Sequence, residues 1–130
     1  MTDISVGSLL AGRLRDRLAN VTYTTEDDLQ AAVNTAVVAS YRVAREVRLS
    51  DGKSRIDLMV TGILLPNVGI EVKIDGSLSS VIRQLDRYAA CDEIGELILV
   101  TTRAKHHHVP RIIGARRIPV HLVSLVENGL

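Results

Sequence analysis

Apolar positions in this chain recur with two periods, one helical and one alternating. Across residues 4–20, Leu9, Leu10, Leu14 and Leu18 fall at helical spacing, while Arg13, Arg15 and Arg17 take other directions around the axis. Gly7 and Gly12 weaken this helix near its start. The segment reads as an amphipathic cover helix, with self-association or a basic binding face as the alternative use. A second helix begins where Thr24 or Thr25 offers a cap oxygen and Glu26, Asp27 and Asp28 fill the first turn. Thr25 and Asp28 have the spacing of a capping box. Leu29, Ala32, Val33, Ala36 and Val37 then form the buried stripe, and the helix runs to about Tyr41.

Alternation takes over next. Residues 41–49 read as a strand, with Val43, Val47 and Leu49 apolar among charged neighbours. Asp51-Gly52 marks a turn. Residues 55–61 form a second strand, in which strict alternation puts Ile56, Leu58 and Val60 on one face and Asp57 and Met59 on the other. Pro66-Asn67 marks the connection to a third strand at residues 68–73, with Ile70 and Val72 opposite Glu71 and Lys73. Residues 77–90 return to helical spacing through Leu78, Val81, Ile82, Leu85 and Ala89. Residues 96–102 are almost wholly apolar, as in a strand covered on both faces. Residues 105–115 read as a loop with a short helix, and residues 118–126 as a last strand. Three strands in succession followed by a helical crossover predict an α/β fold with a mixed sheet flanked by helices.

The chain has 130 residues, which suits one domain, with residues 1–22 as an N-terminal helical extension. It has no Phe or Trp and only three Tyr, so its core must be aliphatic. The formal net charge is +1, so any nucleic-acid surface must come from clustered rather than global charge. A lone cysteine, Cys91, cannot form an internal disulfide, which fits a reducing compartment. The first residues lack the basic and apolar regions of a signal peptide, and no apolar run reaches membrane-span length. A cytoplasmic location is the expectation.

The chemistry concentrates in two polar intrusions into apolar strands: Asp57 in Arg-Ile-Asp-Leu-Met-Val, and Glu71 with Lys73 in Gly-Ile-Glu-Val-Lys-Ile. Paired as a hairpin, these strands can set Asp57 beside Glu71, and Lys73 shares the Glu71 face. Two adjacent carboxylates invite a hard, oxygen-preferring cation such as Mg²⁺. A lysine beside them can position water or stabilise developing negative charge. Taken alone, Asp…Glu-X-Lys is a weak pattern, equally compatible with an exposed, salt-bridged strand face.

At these residues the chain resembles the PD-(D/E)XK nuclease superfamily. Asp57 stands at the first acidic position, Ile56 replaces the proline, and Glu71-Val72-Lys73 matches the (D/E)XK element. Gln84 and Tyr88, one helical turn apart, resemble the QxxxY motif of its RecB-like and lambda-exonuclease-like branch. The resemblance implies a restriction-endonuclease-like core in the order α-β-β-β-α-β. It also implies a Mg²⁺-dependent deoxyribonuclease in which Mn²⁺ can substitute. Asp57, Glu71 and the Val72 carbonyl would hold the metal. Glu26, with Asp28 as the second candidate, would support it directly or through water. Lys73 and Gln84 would orient the water, and Tyr88 would lie near the substrate.

Further DNA contacts are expected from Arg83 and Arg87 on the helix and from Arg103 and Lys105 beyond the fourth strand. The run His106-His107-His108 reads as a surface loop rather than a chelating cluster, because no Cys or acid follows at ligand spacing. Arg116 and Arg117 read as solvated turn charge, Glu46 as a structural acid or an accessory to the site, and Cys91 as a small buried residue. So small a domain leaves little to specify a DNA sequence, so structure-directed or non-specific cleavage is expected. Holliday-junction resolvases of this superfamily cut two strands as symmetric dimers, so a homodimer or higher oligomer is expected, with Leu9, Leu10, Leu14 and Leu18 as its contact. The alternative is a catalytically weak DNA-binding or assembly subunit that keeps the fold.

Overall fold

The computed structural model describes residues 5–62 and 67–126. The expected helix start at Ile4 and the expected break at Pro66 lie outside the described residues. Helices α1 (Val6–Arg17) and α2 (Glu26–Val38) precede strands β1 (Arg42–Arg48), β2 (Arg55–Thr61) and β3 (Val68–Lys73). Helix α3 (Leu78–Ala89) crosses to β4 (Glu96–Thr101). A 3-10 turn (Ala104–His108), a two-residue strand β5 (Ile112–Ile113) and β6 (Ile118–Ser124) follow. Among the described residues no helix is long and apolar enough to cross a membrane.

The six strands form one mixed, open sheet in the order β1-β2-β3-β4-β6-β5. The β1, β2 and β3 pairings are antiparallel, β3, β4 and β6 run parallel, and β5 pairs antiparallel with β6. Helix α2 starts at a capping box in which Thr25 Oγ1 accepts from Asp28 N–H and the Asp28 carboxylate accepts from Thr25 N–H.

Two aliphatic layers sandwich the sheet. Leu10, Leu14, Leu29, Val33 and Val37 pack on Leu58, Val60, Ile70, Val72, Ile98 and Val100. On the other side Val81, Leu85, Tyr88 and Ala89 of α3 pack on Leu97, Leu99, Val120 and Ile56. Strand β4 feeds both layers, as its unbroken apolar run predicts. Helix α1 contributes Leu10, Ala11, Leu14 and Leu18 to the first of these layers. Leu10, Leu14 and Leu18 are buried within this chain, leaving only Leu9 of the proposed contact exposed.

Strict alternation in β1 and β2 does not hold. Val43 packs with α1 and α2, but Val47 and Leu49 pack with α3. Likewise Leu58 and Val60 face α1 and α2, whereas Ile56 faces α3 and lies over Gly69. Both strands switch face at one rung, where Glu46 stands opposite Asp57 between the paired rungs Arg45↔Leu58 and Val47↔Ile56. Glu46 makes the switch with φ +53°, a left-handed conformation unusual for a strand residue.

Three polar groups, two of which (His106 and Arg116) the sequence left on the surface, serve as internal ties. Glu96, buried at the start of β4, accepts from Gly7 N–H at 3.0 Å and pairs with His121 at 2.8 Å. Burial raises the Glu96 carboxyl, but hydrogen bonds from Ser5, His121 and Gly7 outweigh it and hold the group below its ordinary value. His106 is fully buried, its ring bridging Thr101 Oγ1 (2.6 Å) and the Gly76 carbonyl (2.7 Å). The Arg116 guanidinium donates to the carbonyls of Ala89, Cys91 and Asp92 at the end of α3.

A Cβ at Gly7 would collide with the Glu96 carboxylate and the His121 ring. Gly7→Ala should therefore destabilise the fold by about 1–3 kcal/mol, the usual cost of breaking a buried charged hydrogen bond, as read by urea unfolding.

Candidate active site

The antiparallel register of β2 and β3 runs through Val60↔Val68, Met59↔Gly69 and Leu58↔Ile70. Continued by one step it sets Asp57 opposite Glu71. The ladder stops there and side chains take over its hydrogen bonds. Asp57 N–H donates to Glu71 Oε1 at 3.3 Å, and Val72 N–H donates to Asp57 Oδ2 at 2.8 Å. Each carboxylate thus receives a main-chain N–H from the opposing strand, and both acids are fixed without a ladder bond between their residues.

Lys73 lies two residues beyond Glu71, with Nζ 3.3 Å from Glu71 Oε2. On the other side of the acid, the Tyr88 hydroxyl donates to Glu71 Oε1 at 3.1 Å and also lies 3.0 Å from the Arg55 carbonyl. Gln84, one turn earlier in α3, lies on the side of the same hydroxyl. Glu26, at the start of α2, accepts from Ile74 N–H at 3.0 Å, just past Lys73. Asp28 is spent on the helix cap. The residues gathered around the end of β3 are therefore Asp57, Glu71, Val72, Lys73, Glu26, Tyr88 and Gln84.

Several expected roles shift. Tyr88 is only 1% exposed, so it backs Glu71 rather than meeting a substrate. Gln84 acts on the site through Tyr88. Arg83 and Arg87 are exposed on α3, whereas Arg103 is paired with Asp75 at 3.1 Å and Lys105 is exposed on the 3-10 turn. Glu46, which sequence alone leaves between two roles, stands across from Asp57 and adds to its electrostatic environment. Its position follows from the register, but the left-handed backbone that accompanies it carries no sequence signature outside glycine.

Burial pushes the Asp57 carboxyl from its ordinary 3.8 up to about 6, against the Val72 hydrogen bond and Lys73, with Glu46 and Glu26 raising it further. Burial and then the Asp57 charge push Glu71 up to about 8, with Lys73 offsetting part of the rise. Burial and the neighbouring Glu71 keep the Tyr88 phenol firmly protonated, as its donor role requires.

Two crowded, desolvated carboxyls relieve their strain by taking up protons or a cation. Among the described residues no group of three His, Cys, Asp or Glu side chains converges as a ligand cluster. The donor set is two carboxylates and main-chain oxygen. Val72 N–H points to Asp57, and a strand residue's carbonyl shares the side of its N–H, so the Val72 carbonyl opens toward the same gap. That set fits a hard ion held by one or two carboxylates that keeps several waters, as Mg²⁺ does. No protein-family model matches this chain, and no curated protein matches it either.

Without metal, the folded chain holds protons on Asp57 and Glu71 that the unfolded chain has lost. This contribution to stability is fully present below the ordinary carboxylate range and is lost as pH rises through about 6 and then about 8. Thermal melts in chelator should therefore show stability falling across this window. Asp57→Asn with Glu71→Gln should flatten the slope, and Mg²⁺ should restore wild-type stability at the alkaline end. A slope unchanged by the double substitution would refute the assignment.

Proposed function

We propose that this chain is a metal-dependent nuclease with a restriction-endonuclease-like core that hydrolyses DNA phosphodiester bonds. The observation that carries this reading is the exchange of main-chain hydrogen bonds that fixes Asp57 and Glu71 side by side, with Lys73 against them. The three-layer α/β sandwich, with an antiparallel β1-β2-β3 meander leading through α3 into parallel β4, is compatible with that core.

Asp57, Glu71 and the Val72 carbonyl would hold Mg²⁺ or Mn²⁺. When bound, such an ion supplies Lewis-acid polarisation of the phosphate and neutralises its charge. Lys73 brings a positive charge to the same strand face, where it stabilises charge developing on phosphate oxygens and orients the attacking water. Tyr88 holds the Glu71 carboxylate in one orientation, and Gln84 lies beside the Tyr88 hydroxyl. Glu26 fixes the backbone just past Lys73 through Ile74 N–H, and its charge acts on Asp57. The small size of the domain favours cleavage that is structure-directed or not sequence-specific.

Incubation with labelled single-stranded, duplex and branched DNA in Mg²⁺ or Mn²⁺ should yield cleavage of at least one substrate. Asp57→Ala and Lys73→Ala should each lower the rate by roughly 10²-fold or more while circular dichroism stays unchanged. Tyr88→Phe should cost about 1 kcal/mol of stability and slow cleavage less than either. No cleavage of any substrate, together with no heat on titrating Mg²⁺, rejects the enzyme. Salt-sensitive DNA binding in its place would point to a binding subunit.

A further inference from the structure

We propose that Arg48 and Arg55, facing each other across the β1–β2 hairpin, form a clamp for the phosphodiester backbone of a nucleic acid. The register places Arg48 directly opposite Arg55. The next rung is hydrogen-bonded, with Leu49 N–H donating to the Ser54 carbonyl at 2.9 Å. Rungs alternate in kind, so the arginine rung is the non-bonded type, whose Cβ atoms approach to about 4.5–5.5 Å. Two like charges held this way repel each other.

Among the described residues no ion pair neutralises them. Both arginines are exposed. The carboxylates around the hairpin have other partners: Glu46 accepts from Gln30 at 3.5 Å and Asp57 from Val72 N–H at 2.8 Å. Asp51 accepts from Lys53 N–H, Ser54 N–H and the Ser54 hydroxyl, and Glu93 accepts from Ser50 N–H and the Ser50 hydroxyl. Val47 and Ile56 turn toward α3, so Arg48 and Arg55 project from the other face of the hairpin. Arg45 also reaches that side, where its Nε bonds Gln30 of α2.

A phosphate oxygen pair between two guanidinium forks accepts from both and removes their repulsion. The position fits a strand of repeating phosphates. The Arg55 carbonyl receives the Tyr88 hydroxyl that also holds Glu71, and Asp57 follows two residues later. The clamp therefore flanks the candidate active site. The choice of nucleic acid as the polyanion rests on the nuclease reading above.

Binding of the 130-residue chain to a labelled DNA duplex is followed by fluorescence anisotropy in chelator, across a range of salt concentrations. Arg48→Ala with Arg55→Ala should weaken binding roughly tenfold or more and reduce the salt slope by about two. Arg48→Glu, which replaces a repulsive rung by an attractive one, should also weaken binding while raising Tm by roughly 2–5 °C. Unchanged affinity and salt slope in the double variant would overturn the clamp. Arginine-dependent binding to phosphatidylserine vesicles with none to DNA would overturn it too. If arginine-dependent DNA binding is found but the DNA stays uncut in Mg²⁺, the nuclease reading falls and the clamp stands. Cleavage with arginine-independent binding gives the reverse.

Discussion

The structure turns on one interrupted ladder. Between β2 and β3 the main-chain hydrogen bonds give way after Leu58↔Ile70, and two carboxylates step in to receive the N–H groups of Asp57 and Val72. An ordinary rung would have satisfied those donors and left both side chains free to choose rotamers. Here the acids are the acceptors, so their positions are set by the backbone itself. The desolvation they suffer is what perturbs their acidity, and the lysine next along the strand only partly offsets it.

The surrounding architecture holds this gap open from both sides. On the α3 side, Tyr88 ties Glu71 to the main chain of Arg55. On the α2 side, Glu26 secures the backbone just past Lys73. The turn that follows β3 is held in turn by His106, which links the Gly76 carbonyl to the end of β4. The face switch at Glu46 and Asp57 sends the tip of the β1–β2 hairpin toward α3, carrying Ile56 over Gly69 and closing the apolar layer beneath the site. A Cβ at that glycine would strike Ile56, so small size there is a packing requirement.

Much of this was legible in the sequence. Strands β2 and β3 fall on the residues that alternation predicted, and the pairing of Asp57 with Glu71 follows from two apolar strands that share a hairpin register. The capping box at Thr25 is likewise a local signal with a local cause. What escaped depends on contacts far apart in the chain. His106 looks like one of three surface histidines until Thr101 and Gly76 close around it. Glu96 looks like the polar edge of a strand until the amide of Gly7 reaches it from α1. The face switch violates the period that made the strands readable, and in β1 one left-handed residue resets the count. The two-residue β5 is too short for any period to reveal.

The aromatic poverty of the chain gives the Tyr88 contact an optical consequence. With no tryptophan and three tyrosines, near-ultraviolet emission comes from phenol rings alone. Tyr88 is the one fully enclosed, and its hydroxyl rests against a carboxylate, whereas Tyr23 and Tyr41 lie at the margin of the opposite layer. Any ligand that draws charge away from Glu71 alters the environment of that single ring, so the protein carries a built-in reporter on its own acidic centre.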